Sequence, residues 1–239
     1  MSGQPVRDWV RAARHLAVLT GAGMSAESGV PTFRDAQTGL WAKFDPQQLA
    51  TEDAFRANPQ MVWDWYAHRR AMIAQVAPNA GHRALAEFAR RHPGRLTLIT
   101  QNVDGLHQRA GSQGVLALHG NIAQDKWLDP PRACCDADAV AAGHPPSCAR
   151  CGNLRRPDVV WFGEMLPADT LAAAERAARR CDLMLVVGTS GVVHPAAGLA
   201  RLAGGKVVIV NPDETGLDDA AHAVLRGTAA QLLPQLLED

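Results

Sequence analysis

The sequence predicts an α/β protein with a Rossmann-like, doubly wound parallel sheet, a helical insert and a small inserted module that contains cysteines. Short apolar runs alternate with helical patterns along the chain, as they do in proteins with parallel sheets. The first apolar run leads directly into a Gly-x-Gly turn at Gly21, which is typical of the entry to a dinucleotide fold. Polar residues follow several later runs, at the strand ends where open α/β sheets bind ligands.

Five apolar runs are predicted as the strands of this sheet. They occupy residues 16–20, 95–100, 115–118, 183–187 and 206–210. Four segments between them have helical periodicity, namely residues 63–76, 82–91, 168–180 and 196–202. We expect one domain over residues 1–239, interrupted by a Trp-rich helical insert at 40–80 and a small Pro- and Cys-rich module at 121–158.

The composition excludes several classes of protein. A hydrophobic content of 47% with 20% charged residues fits an ordinary globular protein and not a disordered chain. The charges of the 24 basic and 24 acidic residues cancel. We therefore expect the protein to bind neither nucleic acid nor an anionic membrane surface. The apolar runs are too short to span a bilayer, and the N-terminus lacks the apolar core of a signal peptide. Five unevenly spaced cysteines do not form a disulfide framework, which favours a reducing, cytoplasmic location.

The glycine-rich turn is followed by an unusual segment for a Rossmann fold. Gly21 permits a tight turn, Gly23 allows the backbone to approach a pyrophosphate, and Ala26 allows close packing against the strand. The long helix that would normally come next is interrupted early by Pro31. The loop that carries residues 33–35 is then expected to return toward the bound dinucleotide.

Residues 21–35 (GAGMSAESGVPTFRD) resemble the first signature of the sirtuins, the NAD-dependent protein lysine deacylases. Further segments resemble the later signatures of that family, in the same order. These are residues 100–107 (TQNVDGLH), 118–120 (LHG), 148–151 (CARC), 159–164 (VVWFGE), 188–190 (GTS) and 211–213 (NPD). The resemblance covers residues 15–235. The occurrence of several motifs in the order of the family indicates the family far more specifically than any single motif does.

The resemblance implies an enzyme that consumes NAD as a co-substrate. The acyl-lysine reacts at C1′ of the nicotinamide ribose, nicotinamide leaves, and the products are free lysine and O-acyl-ADP-ribose. His119 is the implied general base, since imidazole titrates near neutrality and can take a proton from a ribose hydroxyl. Asn102 and Asp104 are implied at the nicotinamide ribose and carboxamide pocket, and Gln101 at the ribose. The implied NAD contacts are Gly21, Ala22, Gly23, Ser25, Ala26, Pro31, Thr32, Phe33, Arg34, Gln101, Asn102, Val103, Asp104, Gly188, Thr189, Ser190, Asn211, Asp213 and Ala229.

The implied partner is an acylated lysine of a protein, bound as an extra extended strand between two backbone edges. The implied contacts are Val160, Phe162, Gly163, Glu164 and Val192. The implied contacts with the acyl group are Tyr66 and Arg69. Their spacing in Tyr66-x-x-Arg69 places both side chains on one helix face. The pattern resembles the sirtuin branch that removes succinyl and malonyl groups. The alternative is an ordinary helix with a packed aromatic residue and an exposed arginine.

The cysteines depart from the pattern of the family, which usually has two Cys-x-x-Cys pairs. Cys148 and Cys151 form one such pair, but the other two cysteines, Cys134 and Cys135, are adjacent. A structural zinc ion needs four tetrahedral ligands. The candidate metal ligands are Cys148, Cys151, Cys134 and Cys135. Because adjacent cysteines seldom both bind one zinc ion, the alternatives are that His144 or Asp136 supplies the fourth ligand or that the zinc-ribbon-like site is degenerate.

Three other functions are compatible with a dinucleotide site. ADP-ribosyl transfer to protein shares the glycosidic cleavage but needs no acyl group. A non-catalytic NAD-sensing module is disfavoured by the presence of His119, Asn102 and Asp104. A reversible dehydrogenase is disfavoured because it would keep the helix that Pro31 interrupts.

Overall fold

A computed structural model describes residues 4–31, 45, 49–136, 138 and 140–238 of the chain. The described residues fall into two compact units. The sheet unit comprises Met1–Phe33, Val76–His119 and Leu166–Asp239, and the insert unit comprises Arg34–Gln75 and Gly120–Met165. None of the helices in the described part of the chain has both the length and the apolar character that a membrane span requires.

The elements of the two units alternate along the chain. The strands are β1 (Leu16–Thr20), β2 (Leu96–Thr100), β3 (Leu116–Ala117), β4 (Gly120–Trp127), β5 (Val140–Ala141), β6 (Ser147–Cys148), β7 (Arg155–Val159), β8 (Leu183–Val187), β9 (Lys206–Val210) and β10 (Ala223–Leu225). The α-helices are α1 (Gln4–Ala12), α2 (Gly23–Ala26), α3 (Glu52–Ala57), α4 (Pro59–Gln75), α5 (Ala80–Arg91), α6 (Leu106–Arg109), α7 (Ala168–Arg180), α8 (Gly198–Arg201) and α9 (Ala229–Leu236).

The sheet unit contains a six-stranded sheet in the order β10-β9-β8-β1-β2-β3, with every neighbouring pair parallel. The chain runs from β1 toward one edge and later from β8 toward the other. The strand order therefore reverses between β1 and β8, and such a reversal opens a crevice at the carboxyl ends of the strands. The predicted doubly wound parallel sheet is confirmed.

Side chains on the two faces of the sheet form two separate cores. On one face, Val18 and Leu185 pack with residues of α1, α5 and α9. On the other face, Leu19 and Val186 pack with residues of α7 and α8. Because both faces are covered, the central strands β1 and β8 are buried along their full length, which explains their continuous apolar sequence.

Some elements differ from their predicted bounds or were not predicted. Helix α4 begins at Pro59 and not at residue 63, and the Asn58 side chain accepts a hydrogen bond from Met61 N at 3.1 Å at this end. An Asn followed by Pro was a usable start signal. Helix α1, which buries Val6 and Val10 at a spacing of four, was also missed. Strand β10 has only three residues, too few for a periodic pattern.

The insert unit is held by an antiparallel pair, β4 with β7, and by the helices α3 and α4. The Arg70 guanidinium of α4 donates to Ile122 O at 2.5 Å and pairs with Asp125 at 2.5 Å, which attaches the helix to β4. A second antiparallel pair, β5 with β6, carries Cys148. The predicted inserts, 40–80 and 121–158, lie within this unit except for residues 76–80, which belong to the sheet unit.

Candidate active site

The turns after β1 and β8 meet at the reversal of strand order. Gly23 N donates to Gly188 O at 2.8 Å, and Gly21 N donates to Val187 O at 2.9 Å. A Cβ atom on Gly23 would lie 2.8 Å from Gly188 Cα, and Gly188 itself has a φ of 60°. Glycine is therefore needed here because the two turns lie too close together for side chains. The absence of side chains also allows the predicted approach of a ligand to the backbone. Helix α2 ends at Ala26, which confirms the predicted early end of the first helix.

Ser25 joins the turn after β1 to the loop after β2. Its hydroxyl donates to Asp104 Oδ2 at 2.7 Å and accepts from Asn102 Nδ2 at 3.2 Å. The other carboxylate oxygen of Asp104 accepts from Leu106 N at 2.8 Å. Ser25 and Asp104 are buried, so this arrangement is shielded from competing water. The structure thus brings Ser25, from the segment 21–35, together with Asn102 and Asp104, from the segment 100–107.

Two buried histidines lie behind this group, and the sequence reasoning did not select either of them. His82 Nδ1 accepts from Asn79 N at 3.3 Å, which leaves the proton on Nε2, 3.4 Å from the Ser25 hydroxyl. Burial, with a smaller contribution from Arg83, lowers the pKa of His82 to about 4. His82 is therefore neutral at pH 7 and can donate to Ser25. An Asn three residues before a His, at a helix start, was the available signal.

His107 supports the loop after β2 through two threonines. Its Nε2 lies 2.9 Å from the Thr20 hydroxyl, which donates to Thr100 Oγ1 at 2.8 Å. Thr100 Oγ1 also accepts from Asn102 N at 3.0 Å. Since the single hydroxyl proton of Thr20 is used by Thr100, His107 must donate through Nε2. Burial and the neighbouring His82, whose ring centroid is 4.8 Å away, lower the pKa of His107 to about 3.

His119 follows β3 and has one defined hydrogen bond. Its Nδ1 lies 2.9 Å from Gln101 O, and a carbonyl oxygen can only accept, so Nδ1 carries the proton. The lone pair is therefore on Nε2, as a general base requires. Burial lowers the pKa of His119, and the bond to Gln101 only partly offsets this effect. His119 is neutral at pH 7 and able to accept a proton.

Polar groups continue across the ends of β8 and β9. Gln101 Nε2 donates to Thr189 Oγ1 at 3.1 Å, and Asn211 Nδ2 donates to Thr189 O at 3.0 Å. Asn211 Oδ1 in turn accepts from Asp213 N at 3.2 Å. A connected row of donors and acceptors thus runs along the carboxyl edge of the sheet, which suits an extended polar ligand.

The remaining predicted NAD contacts have less distinctive surroundings. Ala22, Val103 and Ser190 are half-buried in their loops, Ala26 and Pro31 are exposed, and Ala229 is buried at the start of α9. Thr32, Phe33 and Arg34 lie outside the described residues. The roles assigned to these residues stay predictions.

In the insert unit, Tyr66 is buried and not on an open helix surface, with 4% of its surface exposed. Its oxygen accepts a hydrogen bond from Trp161 Nε1 at 2.9 Å, and its ring meets Trp65 edge-on at 4.6 Å. Burial raises the pKa of Tyr66 to about 12 although the nearby Arg69 charge acts to lower it, so the phenol keeps its proton at neutral pH. The Arg69 guanidinium lies over the Trp65 ring, 5.0 Å from its centroid.

The segment after β7 is fixed by a buried ion pair. The Arg156 guanidinium pairs with both carboxylate oxygens of Glu164 and lies 3.3 Å from the centroid of the Trp161 ring. Glu164 Oε2 also accepts from Trp161 N at 2.9 Å. The half-buried Glu164 carboxylate is thus occupied by Arg156 and by Trp161 N, and its predicted substrate contact stays a prediction.

The other predicted peptide contacts are mostly exposed. Phe162 and Val192 are 44% and 60% exposed. Phe162 N donates to Ala50 O at 2.9 Å, so one backbone edge near β7 is already paired. Val160 is half-buried and Gly163 is exposed, with a φ of 89°. Their predicted contacts with a substrate strand stay predictions.

The four cysteines predicted as metal ligands lie together in the structure, including the adjacent pair Cys134 and Cys135. The sulfur atoms of Cys134, Cys135, Cys148 and Cys151 all lie within 4.8 Å of one another. Tetrahedral zinc with Zn–S bonds of about 2.3 Å places its sulfur ligands about 3.8 Å apart, so the four thiols fit this ion. Neither His144 nor Asp136 belongs to the cluster that the described residues form, and Asp136 pairs with Arg150 at 3.3 Å instead.

The local backbone explains the adjacent pair. Cys135 N donates to Arg132 O at 2.8 Å, so both cysteines lie in a turn. In a strand, neighbouring side chains would point to opposite faces, but a turn allows both to face the same point. Burial acts to raise the pKa of the Cys148 thiol, but hydrogen bonds from the backbone N–H groups of Arg150 and Cys151 outweigh it and lower the pKa to about 7.

The parallel sheet, the reversal point and the polar edge together define an α/β protein of the dinucleotide-binding class, with a cysteine module of the zinc-binding type. The model of the Sir2 family matches residues 21–195, more than half of the chain. The chain belongs to the Sir2 family.

Individual relatives agree with this membership. The "NAD-dependent protein deacylase" of Ralstonia nicotianae is 56% identical over 97% of this chain and 94% of its own length. The protein of the same name from Mycolicibacterium paratuberculosis is 49% identical over 93% of this chain and 96% of its own length. A Sir2 homologue solved as an NAD complex has a TM-score of 0.88 at 43% identity, covering 99% of this chain and 93% of that one. A Sir2 structure with a p53 peptide and NAD⁺ has a TM-score of 0.85 at 34% identity, covering 100% of this chain and 98% of that one.

Proposed function

We propose that the protein is an NAD-dependent protein-lysine deacylase. The observation that carries this proposal is the state of His119, a neutral imidazole whose proton is held at Nδ1 by Gln101 O, so that Nε2 can accept one. The names of the relatives, "NAD-dependent protein deacylase", support the same activity.

The polar edge of the sheet fits NAD. Gln101, Thr189 and Asn211 are linked by hydrogen bonds along the ends of β2, β8 and β9 and would hold the ribose and phosphate groups. Gly21 and Gly23 would hold the pyrophosphate, because they leave backbone and not side chain at the turn. When bound, NAD supplies an activated glycosidic bond and an ADP-ribose that accepts the acyl group.

Two roles are proposed for residues of this chain, namely stabilisation of the developing charge and proton transfer. Asn102 and Asp104, both held by Ser25, would present fixed dipoles and a carboxylate to the positive charge that develops as the glycosidic bond weakens. His119 Nε2 would take the proton of a ribose hydroxyl. The products would be nicotinamide, O-acyl-ADP-ribose and free lysine.

We further propose that the acyl-lysine is held as an extended strand and that succinyl and malonyl groups are removed as well as acetyl groups. Tyr66 and Arg69 lie one helical turn apart in α4, and Tyr66 keeps its proton at neutral pH. A carboxylate can only accept, and a phenol O–H with a guanidinium offers it two donors. Acetyl groups lack the carboxylate but are small enough for the same space.

The cysteine cluster would hold zinc in a structural role. Four thiolate ligands close the coordination shell and leave no position for a substrate. We also propose that residues 1–239 act as one catalytic domain, with the stretches 40–80 and 121–158 as its inserts.

The test is nicotinamide release from NAD with one peptide carrying an acetyl, malonyl or succinyl lysine, for the wild type and for His119→Ala. We expect His119→Ala to lower kcat/KM by roughly 10²–10⁴-fold on every acyl group. His68→Ala, a change at an exposed histidine of α4, serves as the control. Turnover of His119→Ala within tenfold of the wild type would exclude the assigned base. Transfer of labelled ADP-ribose to an unacylated peptide would instead favour ADP-ribosylation.

A further inference from the structure

The hydroxyl of Tyr66 has a fixed donor on one side. Trp161 Nε1 donates to it at 2.9 Å, and both side chains are buried, with 1% of Trp161 exposed. Tyr66 is the only tyrosine of the chain, and Trp161 comes from a segment 95 residues away in sequence. The contact therefore joins α4 to the segment after β7 through a buried polar pair.

Trp161 is itself held in place on several sides. The Arg156 guanidinium covers its ring at 3.3 Å, and Phe55 contacts the ring with a centroid distance of 5.3 Å. The backbone N–H of Trp161 donates to Glu164, which also pairs with Arg156. The indole cannot rotate without breaking these contacts, so the direction of its N–H is set by the fold.

A fixed N–H donor determines where the hydroxyl proton of Tyr66 points. The phenol oxygen both accepts and donates, and its proton lies near the ring plane in one of two orientations. The orientation toward Trp161 is disfavoured because it would bring two protons together. The hydroxyl proton is left in the other orientation, available to an acceptor that is not part of this pair.

We propose that Trp161 is a positioning residue for acyl-group selection: its indole N–H turns the Tyr66 hydroxyl proton toward the distal carboxylate of a succinyl or malonyl lysine. This inference rests on the proposed deacylation of such groups. Acetyl-lysine has no distal acceptor, so the orientation of this proton is of no consequence for it. Trp161 would therefore raise selectivity without contacting the reacting atoms.

Trp65 provides a matched control within the same unit. It is as buried as Trp161 and also contacts the Tyr66 ring, with centroids 4.6 Å apart. Its Nε1, however, has no hydrogen-bond partner among the described residues. A change from Trp to Phe removes a similar volume at either site but removes a hydrogen bond to Tyr66 only at Trp161.

The experiment compares Trp161→Phe and Trp65→Phe on succinylated and acetylated forms of one peptide. We expect Trp161→Phe to lower the succinyl-to-acetyl ratio of kcat/KM by about 3–10-fold, as for loss of one ordinary hydrogen bond. The change should appear mainly in KM for the succinylated peptide, since the carboxylate is bound before and during the reaction. Trp65→Phe keeps an aromatic ring beside the Arg69 guanidinium, which lies 5.0 Å from the Trp65 centroid, and should change the ratio clearly less than Trp161→Phe does. Equal effects of the two variants would show that packing alone matters and would overturn the proposal.

A double-mutant cycle separates an effect through Tyr66 from a general one. In the Tyr66→Phe background no hydroxyl is left to orient, so Trp161→Phe should not change the ratio further. Additive effects of the two changes would overturn the proposal. A wild-type enzyme that ignores succinyl-lysine but removes acetyl groups would refute the acyl-selection part of the proposed function, and this inference with it. Efficient desuccinylation with an unchanged ratio in Trp161→Phe would refute this inference alone.

Discussion

The sheet unit and the insert unit both hold polar groups in buried positions, but they do so by different means. In the sheet unit, short side chains on loops at the strand ends are fixed by hydrogen bonds to one another, as with Ser25 and Asp104 at 2.7 Å. In the insert unit, large side chains are fixed by ring contacts and an ion pair, as with Trp161 between Phe55 and Arg156. The first arrangement is compatible with the charge stabilisation proposed for the sheet unit, and the second with the acyl-group selection proposed for Tyr66 and Arg69.

The difference extends to what stabilises each unit. The sheet unit has two extensive apolar cores on the faces of its sheet. In the insert unit, the four-cysteine cluster lies beside strands of only two residues, β5 and β6, of which β6 carries Cys148. Small elements with little apolar surface commonly depend on a metal ion for folding. We therefore expect metal loss to affect the two units unequally.

The largest expected effect comes from removing one thiol of the cluster. Cys148→Ser should abolish zinc binding, from roughly one ion per chain to almost none by elemental analysis. Tryptophan fluorescence should report loss of structure in the insert unit, because five of the six tryptophans lie within its bounds and only Trp9 lies in the sheet unit.

The matched control for that variant is Cys181→Ser in the sheet unit. Cys181 is also buried, and its thiol donates to Ala178 O, but it is not part of the cluster. The Cys181→Ser variant should therefore retain zinc at the wild-type ratio. Folded wild-type protein that contains no zinc after purification without added metal would show that the cluster is not a zinc site.

A smaller effect is expected from acid in the sheet unit. The pKa values of His82 and His107, about 4 and about 3, lie below the usual value of about 6.5, so the unfolded state binds more protons below pH 6.5. The free energy of unfolding should therefore fall as the pH drops from about 6.5 toward 4. At pH 5 the loss is about 2 kcal/mol for each histidine.

Urea denaturation at pH 7 and pH 5 measures this loss. His107→Gln keeps an N–H donor near Thr20 but does not titrate, so it should lose about 2 kcal/mol less than the wild type between the two pH values. His68→Gln, at an exposed position, should behave as the wild type. The same pH dependence in all three proteins would contradict the neutral, buried state of His107.

The sequence predicted the sheet unit well because its information is local. Strands β1, β8 and β9 have the predicted bounds, since each is a continuous apolar run ended by a glycine or a polar residue. His119, Asn102 and Asp104 were predicted because residues 100–107 and 118–120, which follow predicted strands, resemble signatures of the family. The histidines behind them were not, because a buried His that donates to Ser25 or Thr20 has no local pattern that distinguishes it from other histidines.

The insert unit was predicted less well because its important contacts join distant segments. Tyr66 and Arg69 were found from helical spacing, but nothing in the spacing indicates that Trp161 bonds to the Tyr66 hydroxyl. Sequence separation does not indicate that the adjacent thiols can face the same point, because this depends on the turn at Cys135. Sequence spacing predicts geometry within an element and not between elements.

The central claim is that the sheet unit supplies chemistry common to all acyl groups and that the insert unit selects among them. The most direct test is the succinyl-to-acetyl ratio of kcat/KM on one peptide for the wild type, His119→Ala and Arg69→Met. A charged hydrogen bond contributes about 1.5–3 kcal/mol, hence roughly 10–150-fold in binding. We predict that His119→Ala lowers both activities and keeps the ratio, whereas Arg69→Met lowers the ratio at least tenfold. A ratio that Arg69→Met leaves unchanged, or that His119→Ala alters as strongly, would contradict the claim.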